Sequence, residues 1–536
     1  MRAQTNSTEY LLELSIGTRT SSMSRITITS NLYAQIEGAV NLVDEALSYK
    51  VPGAMFQRRC ITCHKRLRDH KGSRHSFEAD PNGWDGTYHL LKRWQTGDFF
   101  PAGLVAYVCD YLSLRGRVPE VVDQRQRPAP SIVIFSSRLQ IKLDPHQEKA
   151  VEEAIAAGRG VMYLPTGTGK TVIMGEVIRR LRQPTLVLCP TKVLLEQLRG
   201  ELERLTGGPV GVIGDGRWEP GVLTVALYQS IARRLKPSGT PQNKAEAERR
   251  KADIAEAQAF LAQFRCVIAD EGHHIEAATF EMIMRALPEA YHRYAFSATP
   301  FKSGEDGDKE TLLRVQGWTG PVASFLSISG GVESGRIVPT DMFFLHLPYE
   351  ADLTPLYGPD FVAPINYQEE VEQYIVRNPL RNQAIGRLAG RLRDVGLVCI
   401  ITDRTAHGEF LHLALKAPFL HGGTPKKERE RIFEDARAGR ISCFIVSKVG
   451  DEGLDVPNIR FLILAAGGKA QHRQIQRIGR GMRASDDKTH LTAFDFADHL
   501  GKYLPEHAKS RRRLYARERA YTLTDITPAE LEELLT

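Results

Sequence analysis

The sequence predicts an α/β protein in which two tandem, doubly wound parallel-sheet domains follow a smaller α+β accessory domain. Three observations carry that prediction. Short apolar strands alternate with helical stretches from Ser131 onward, a pattern of strand–helix–strand units whose crossovers force neighbouring strands to run parallel. A second alternation begins near Phe343. One glycine-rich turn, Leu164-Pro165-Thr166-Gly167-Thr168-Gly169-Lys170-Thr171, lies between a strand and a helix in the first series, and the second series has no counterpart to it. The expected divisions are residues 1–130 for the accessory domain, 131–342 and 343–505 for the two α/β domains, and 506–536 for a basic, helix-prone tail.

Bulk properties narrow the class. The 536 residues are 42% hydrophobic and 25% charged, with a formal net charge of +7. These are the proportions of a globular protein with filled cores, and the charge suits a polyanionic partner without requiring one. No apolar run approaches the roughly 20 residues a membrane span needs, and the N-terminus lacks a signal-peptide core, so a soluble, cytoplasmic protein is expected. Cys189, Cys266, Cys399 and Cys443 sit inside apolar runs and read as buried thiols in a reducing compartment.

In the accessory domain, Ile26 and Ile28 alternate with threonines as in a strand. A basic run from Arg58 to Arg74 follows, in which Arg58, Arg59, Lys65, Arg66 and Arg68 are opposed only by Asp69; these are candidate phosphate contacts. Within it, Cys60-Ile61-Thr62-Cys63-His64 has the spacing of a c-type haem attachment, but that chemistry needs an export signal the chain lacks. Cys60, Cys63, His70 and His75 are the candidate ligands for zinc. The gap between the two pairs is shorter than a C₂H₂ finger uses, which favours the alternative of a basic loop with incidental thiols. The segment Gln124 to Pro130 reads as a linker.

The first α/β domain opens with the glycine-rich turn. Val161 to Leu164 form a strand, and Val172, Ile173, Met174, Val177, Ile178 and Leu181 recur at helical spacing. Strand, turn and helix in that order form a phosphate cradle: Pro165, Thr166, Gly167, Thr168 and Gly169 wrap the oxygens, while Lys170 neutralises the β- and γ-phosphates. Thr171 supplies a hydroxyl to Mg²⁺. Further strands are expected at Leu186–Leu188, Leu223–Ala226, Val267–Ala269 and Ala295–Phe296, and an exposed insertion from Lys236 to Ala257. The strand Cys266-Val267-Ile268-Ala269 ends in Asp270 and Glu271, adjacent carboxylates at the edge where phosphates would lie. Asp270 is placed to hold Mg²⁺ and Glu271 to take a proton from the attacking water. His273 and His274 lack partners for a metal site and read as coupling contacts.

In the second α/β domain, strands are expected at Leu397–Ile401, Phe444–Val446, Phe461–Leu464 and Leu491–Phe494. The run Gln471 to Arg483 carries Arg480 and Arg483, which share a face if the stretch is helical. Alone, such a run is a basic surface helix. Opposite a cradle and an acidic pair, it supplies arginine fingers.

Together these residues resemble superfamily 2 helicases and translocases of the DExH type. Leu164 to Thr171 resembles motif I, Val187-Leu188-Cys189-Pro190-Thr191 motif Ia, Asp270-Glu271-Gly272-His273 motif II, and Ser297-Ala298-Thr299 motif III. Ser447 to Asp455 resembles motif V and Gln476 to Arg483 motif VI. The resemblance implies two RecA-like domains and ATP with Mg²⁺ as the cofactors. It implies adenine reading by Gln147 in Leu143-Asp144-Pro145-His146-Gln147, where many relatives have arginine in place of Asp144. Gly453 and Asp455 then join the ATP site, with Gln476 beside the fingers. Pro190, Thr191, Gln229, Thr402, His421 and Ser447 become strand contacts. Ser297 to Pro300, Gly335 to Pro339, Arg377-Asn378 and His421-Gly422 resemble the branch of UvsW-type, XPB-like and restriction-type motors. Val51 to Ala54, Trp84-Asp85-Gly86 and Pro101 to Leu104 resemble the UvsW-type DNA-binding domain, from which the Cys/His insertion departs.

The expected function is an ATP-dependent DNA helicase that remodels branched DNA in recombination, repair or replication. The alternatives are the motor subunit of a restriction or defence system, an ATP-gated nucleic-acid clamp without unwinding, and an RNA helicase.

Overall fold

The computed structural model describes residues 24–51, 87–131, 142–237, 239–271, 277–298, 308–350, 352–447, 456–468, 477–485 and 487–535. They divide into two compact units, Met1–Arg125 and Gln126–Thr536. None of the described helices is long and apolar enough to cross a membrane.

The first unit is α+β. Its sheet runs, in spatial order, Lys92–Trp94, Gly97–Pro101, Tyr33–Glu37, Arg25–Ile28 and Glu120–Asp123. All pairs are antiparallel except the last, which is parallel. The alternation that predicts the first strand holds, since Ile26 and Ile28 face inward with Ala34, Ile36 and Phe100, and the helices Val40–Ala46 and Val105–Ser113 pack against one another. The basic run and the four candidate zinc ligands, Cys60, Cys63, His70 and His75, lie outside the described residues, as do Arg58, Arg59, Lys65, Arg66 and Arg68.

The second unit holds two parallel sheets. The first has the order Arg217–Glu219, Gly211–Gly214, Leu223–Leu227, Thr185–Cys189, Cys266–Asp270, His292–Ser297, Arg159–Tyr163, Val322–Phe325. Only the outermost hairpin, Gly211–Gly214 with Arg217–Glu219, is antiparallel. The second sheet is wholly parallel, in the order Phe419–Leu420, Cys443–Val446, Leu397–Ile401, Ile459–Leu464, Leu491–Phe496, Thr340–Leu345, Tyr521–Ile526. Continuous burial explains why these central strands read as apolar runs: every residue of Thr185–Cys189, Cys266–Asp270 and Leu397–Ile401 is buried, as helices cover both faces. Cys189, Cys266, Cys399 and Cys443 are buried thiols, and burial pushes Cys266 up to about 12.

One expectation needs correction. Residues 506–536 are not a basic tail. The helix Leu504–Arg517 and the strand Tyr521–Ile526 are integral to the second sheet, the strand pairing in parallel with Thr340–Leu345. Arg511, the first of three consecutive arginines, is fully buried. Its Nε donates to Asp495 Oδ2 at 2.8 Å and its Nη2 to Asp498 Oδ2 at 3.0 Å and to the Phe496 carbonyl at 2.8 Å. Arg381, also fully buried, donates to Asp498 Oδ1 at 3.1 Å and to the Ala465 carbonyl at 2.7 Å. The Tyr515 hydroxyl completes the set at 2.7 Å from Asp495 Oδ2.

Two buried carboxylates facing two buried guanidinium groups balance only as a set. Arg511→Met, which keeps the bulk and removes the charge, is expected to lower stability by roughly 3–5 kcal/mol because Asp495 is left with no buried cation. Urea denaturation of the variant beside wild type measures this, and an unchanged midpoint would show the network to be dispensable.

Candidate nucleotide site

The cradle forms as its residue types dictate. Strand Arg159–Tyr163 ends in Leu164, and the chain turns back through Gly167 and Gly169 at φ of +92° and +84°, a region that strains any residue with a Cβ. The helix Lys170–Leu181 then starts with Gly169 as its cap and no side chain bonded to its first turn. Its leading N–H groups therefore point into the turn, as an anion site requires. Inside the loop, the Thr168 hydroxyl donates to the Pro165 carbonyl at 2.8 Å.

The carboxylate pair closes one side. Asp270 is the last residue of its strand and Glu271 follows at φ +48°, a left-handed conformation held by its N–H donating to the Phe296 carbonyl at 2.9 Å. That backbone turns the second carboxylate toward the cradle. Lys170 Nζ donates to Glu271 Oε1 at 2.8 Å, and the Ser297 hydroxyl to Glu271 Oε2 at 3.0 Å. Burial and the like charge of Glu271 raise the Asp270 carboxyl to about 7, against the pull of Lys170 and Arg480. A buried and a partly buried carboxylate with one ammonium beside them are a donor set short of positive charge, which a divalent cation shared with phosphate oxygens would supply. Asp270, buried at the end of its strand, is the carboxylate whose chemistry fits that cation.

The other side comes from the second sheet. Residues 477–481 form a short helix, and beyond it Arg483 pairs as an antiparallel bridge with Ile337. The Val338 N–H donates to the Met482 carbonyl at 2.7 Å, and the Ala484 N–H to the Arg336 carbonyl at 3.1 Å. This small ladder lies directly on the cradle: a Cβ on Gly167 would stand 2.9 Å from Ile337 Cγ2 and 3.1 Å from Arg483 Cγ. Gly479 approaches Thr166 in the same way. The face-sharing expected of Arg480 and Arg483 is therefore modified. Arg480 is helical, whereas Arg483 is set by its bridge to the segment that joins the two sheets.

Three residues to which the sequence assigns no individual role hold this arrangement. Lys488, buried, donates to the carbonyls of Pro457 at 3.0 Å, Arg483 at 3.1 Å and Gly481, gripping the end of the arginine-bearing turn. Arg477 donates to Asp403 at 2.6 Å, and Arg336 pairs with Asp144, which holds that carboxyl below its usual range. Asp144 was legible only as a departure from arginine at its position. Gln147 is also occupied: its Oε1 accepts from the Asp144 N–H at 3.1 Å and its Nε2 donates to the Thr168 carbonyl at 3.2 Å. The structure places its amide on the cradle itself. Gly453, Asp455, Gln476, His273 and His274 lie outside the described residues.

The expected strand contacts follow the carboxyl ends of their strands. Gln229 Nε2 donates to the Pro190 carbonyl at 3.2 Å, and Thr191 caps the helix Lys192–Thr206 by accepting from Leu194 N–H. On the second sheet, Thr402, Ser447 and His421 stand side by side, linked by Thr402 N–H to Val446 and Ser447 N–H to Leu420 carbonyls. Thr402 departs from the expectation, because it is fully buried with its hydroxyl turned to the Arg404 carbonyl. Ser447 is buried too, and His421 is partly exposed.

Residues 140–302 match the type III restriction enzyme res-subunit family, and residues 382–485 the helicase conserved C-terminal domain. A Halobacterium salinarum protein named as a Rad25-type DNA 3'-5' helicase is 28% identical over 381 residues, covering 70% of this chain and 57% of that protein. The chain thus spans little more than half the length of that relative. The ATP-dependent DNA helicase uvsW of Enterobacteria phage T4 is 22% identical over 479 residues, 82% of this chain and 88% of the phage protein. A Saccharomyces cerevisiae Dbp5 structure bound to RNA and ADP BeF3 superposes with a TM-score of 0.50 at 16% identity, covering 74% of this chain and 93% of that one. That likeness is one of fold.

Gly167 offers a direct test of the cradle's geometry. An alanine there strains a backbone at φ +92° and pushes against Ile337 and Arg483, so Gly167→Ala is expected to weaken binding of a fluorescent ATP analogue about tenfold, the equivalent of roughly 1–2 kcal/mol. Gly439→Ala, at φ +69° with nothing near its Cβ, is the control for backbone strain alone and is expected to bind normally.

Proposed function

We propose, because this chain belongs to superfamily 2 of the helicases, that it is an ATP-dependent DNA helicase or translocase acting on branched DNA. The observation that supports this most is the meeting of Lys170, Asp270 and Glu271 on one sheet with Arg480 and Arg483 on the other, across a cradle open to phosphate.

In this reading Lys170 and the leading N–H groups of its helix bind the β- and γ-phosphates. Thr171 and Asp270 would hold Mg²⁺, whose charge would offset that of the phosphates. Glu271, released from Lys170 as phosphate takes that ammonium, accepts a proton from the attacking water. Arg480 and Arg483 stabilise charge building on the transferred phosphoryl group. Because the arginines belong to the second sheet, the site is complete only while the two sheets are closed on one another. Hydrolysis then alternates closure and release. Pro190, Thr191, Gln229, His421 and Ser447 would hold the strand through its phosphates, which makes stepping independent of sequence.

For the accessory unit we take the basic run Arg58, Arg59, Lys65, Arg66 and Arg68 as a grip on adjoining duplex, which selects forks and junctions. Replacing the five with alanine is expected to weaken junction binding and flatten its salt dependence, while single-strand-stimulated hydrolysis survives. Unchanged junction affinity across a salt series would remove the grip from the mechanism.

The catalytic assignment is tested by separating binding from turnover. Glu271→Gln is expected to bind ATP normally and to hydrolyse it at a small fraction of the wild-type rate, since only the proton acceptor is lost. Arg483→Ala should keep ATP affinity within a few-fold and lose about 10³-fold or more in rate. Stopped-flow nucleotide binding beside DNA-stimulated hydrolysis distinguishes the two effects. Near-normal turnover in Glu271→Gln would overturn the base, and an Arg483→Ala variant that loses DNA binding with intact basal hydrolysis would make that arginine a strand contact.

A further inference from the structure

The polar segment expected to be an exposed insertion folds into the helix Lys244–Leu261. It does not stand free of the domain. With the hairpin Gly211–Gly214 and Arg217–Glu219 and the helix Tyr228–Leu235, it walls a cleft of about 570 Å³. Arg217, Trp218, Arg233, Arg234, Arg249 and Arg250 line this cleft, against two carboxylates, Glu246 and Asp253.

The guanidinium groups differ in what they are committed to. Arg217 is paired with Glu196, Arg250 with Glu246 at 2.7 Å, and Arg234 lies 4.0 Å from Glu256. Arg234 also sits over the Trp218 ring, its Cζ 4.2 Å from the centroid, while Trp218 meets Phe260 at 5.6 Å. Such stacking orients a guanidinium and leaves its edge donors usable. Arg233 and Arg249 make no ion pair among the described residues, and both are exposed. Glu246 is spent twice over, on Arg250 and on the Gln242 N–H at 2.7 Å. Five arginines thus line the cleft against the two carboxylates Glu246 and Asp253, which leaves it net positive, with Arg233 and Arg249 outside any ion pair among the described residues and a stacked arginine beside them.

Its place in the fold says what that charge meets. Arg233 lies one helical turn beyond Gln229 on the same face of the helix Tyr228–Leu235. Gln229 is bonded to the Pro190 carbonyl at the carboxyl edge of the sheet. Pro190, Gln229 and Arg233 thus form a row that leads from that edge into the cleft.

We propose that the cleft is an additional nucleic-acid site, which takes backbone phosphates of a single strand beyond the stretch held at the carboxyl edges of the two sheets. This rests on the reading of the chain as a nucleic-acid motor. Guanidinium donors recognise phosphate regardless of base, so the contact lengthens the grip without adding sequence preference. The insertion helix is then a wall of the strand path, contributed by Arg249.

The test is the double variant Arg233→Ala with Arg249→Ala in the full chain, both exposed side chains whose loss leaves the core intact. Fluorescence anisotropy measures affinity for single strands of about 10 and about 40 nucleotides across a salt series, with ATP hydrolysis followed in parallel. The long strand is expected to bind several-fold more weakly, with its salt slope reduced by about 1.4, about 0.7 for each lost phosphate contact. The short strand, held by the sheet edges alone, is expected to bind and stimulate hydrolysis as in wild type. Equal long-strand affinity and slope in the two proteins would overturn the cleft as a site, and so would equal losses on both lengths. If wild type binds neither strand, the motor reading fails and the cleft with it, whereas wild-type binding with an indistinguishable variant defeats the cleft alone.

Discussion

The constraint on which the meeting of the two sheets depends is the missing Cβ at Gly167. Ile337 and Arg483 reach within van der Waals range of where that atom would stand, so the turn that wraps phosphate is also the surface on which the second sheet rests. The consequences run outward from there. Arg483 is placed by its bridge to Ile337, and Ile337 by the segment that joins the two sheets. The same segment carries Arg336 to Asp144, beside the cap of the helix that bears Gln147. A side chain at residue 167 would push on all of these together, because close-packed contacts transmit displacement rather than absorb it.

Charge is arranged with the same economy. Asp270 and Glu271 are neighbours in sequence, and their burial would be unfavourable without Lys170 on one and the field of Arg480 on the other. Glu271 occupies a left-handed backbone conformation, which costs roughly 1–3 kcal/mol and persists only where surroundings enforce it. Here the Phe296 carbonyl, Ser297 and Lys170 do so. In the proposed cycle this makes Lys170 a shared cation, held by the carboxylate until phosphate competes for it.

The second sheet answers a different need. Its described residues include no glycine-rich cradle, yet the strand ends at His421 and Ser447 and the arginine turn are held in fixed register. Three devices supply that rigidity. Arg381 and Arg511 cross-link Asp495 and Asp498 beneath the edge, Arg477 ties the arginine turn to Asp403, and Lys488 gathers three carbonyls at its end. Buried cations of this kind are costly unless paired and hydrogen-bonded, and beside the aspartates it is main-chain carbonyls at helix and strand ends that accept from them here.

Much of this was legible from sequence, for local reasons. The glycine turn, the carboxylate pair at a strand end and the order of strands each depend on neighbours a few residues away, where period and residue type are read directly. The central strands fall where their apolar runs lie, and the α+β character of the first unit follows its alternating isoleucines. What remained hidden is long-range. Asp144 and Arg336 meet across 192 positions and Arg477 and Asp403 across 74, and no local pattern announces such a partner. Arg511 is one of three consecutive arginines with no partner in view until the fold sets two aspartates beside it, and Tyr521–Ile526 is too polar to declare itself a strand before Thr340–Leu345 offers it an edge. Thr402 is exposed in any linear reading, and only the packing of its neighbours buries it. Sequence by itself determined the local signatures of the proposed site: the glycine turn, the carboxylates at a strand end and the paired arginines. Tertiary structure decided which of them touch, because contact between distant residues is a property of the packed sheets and of no segment alone.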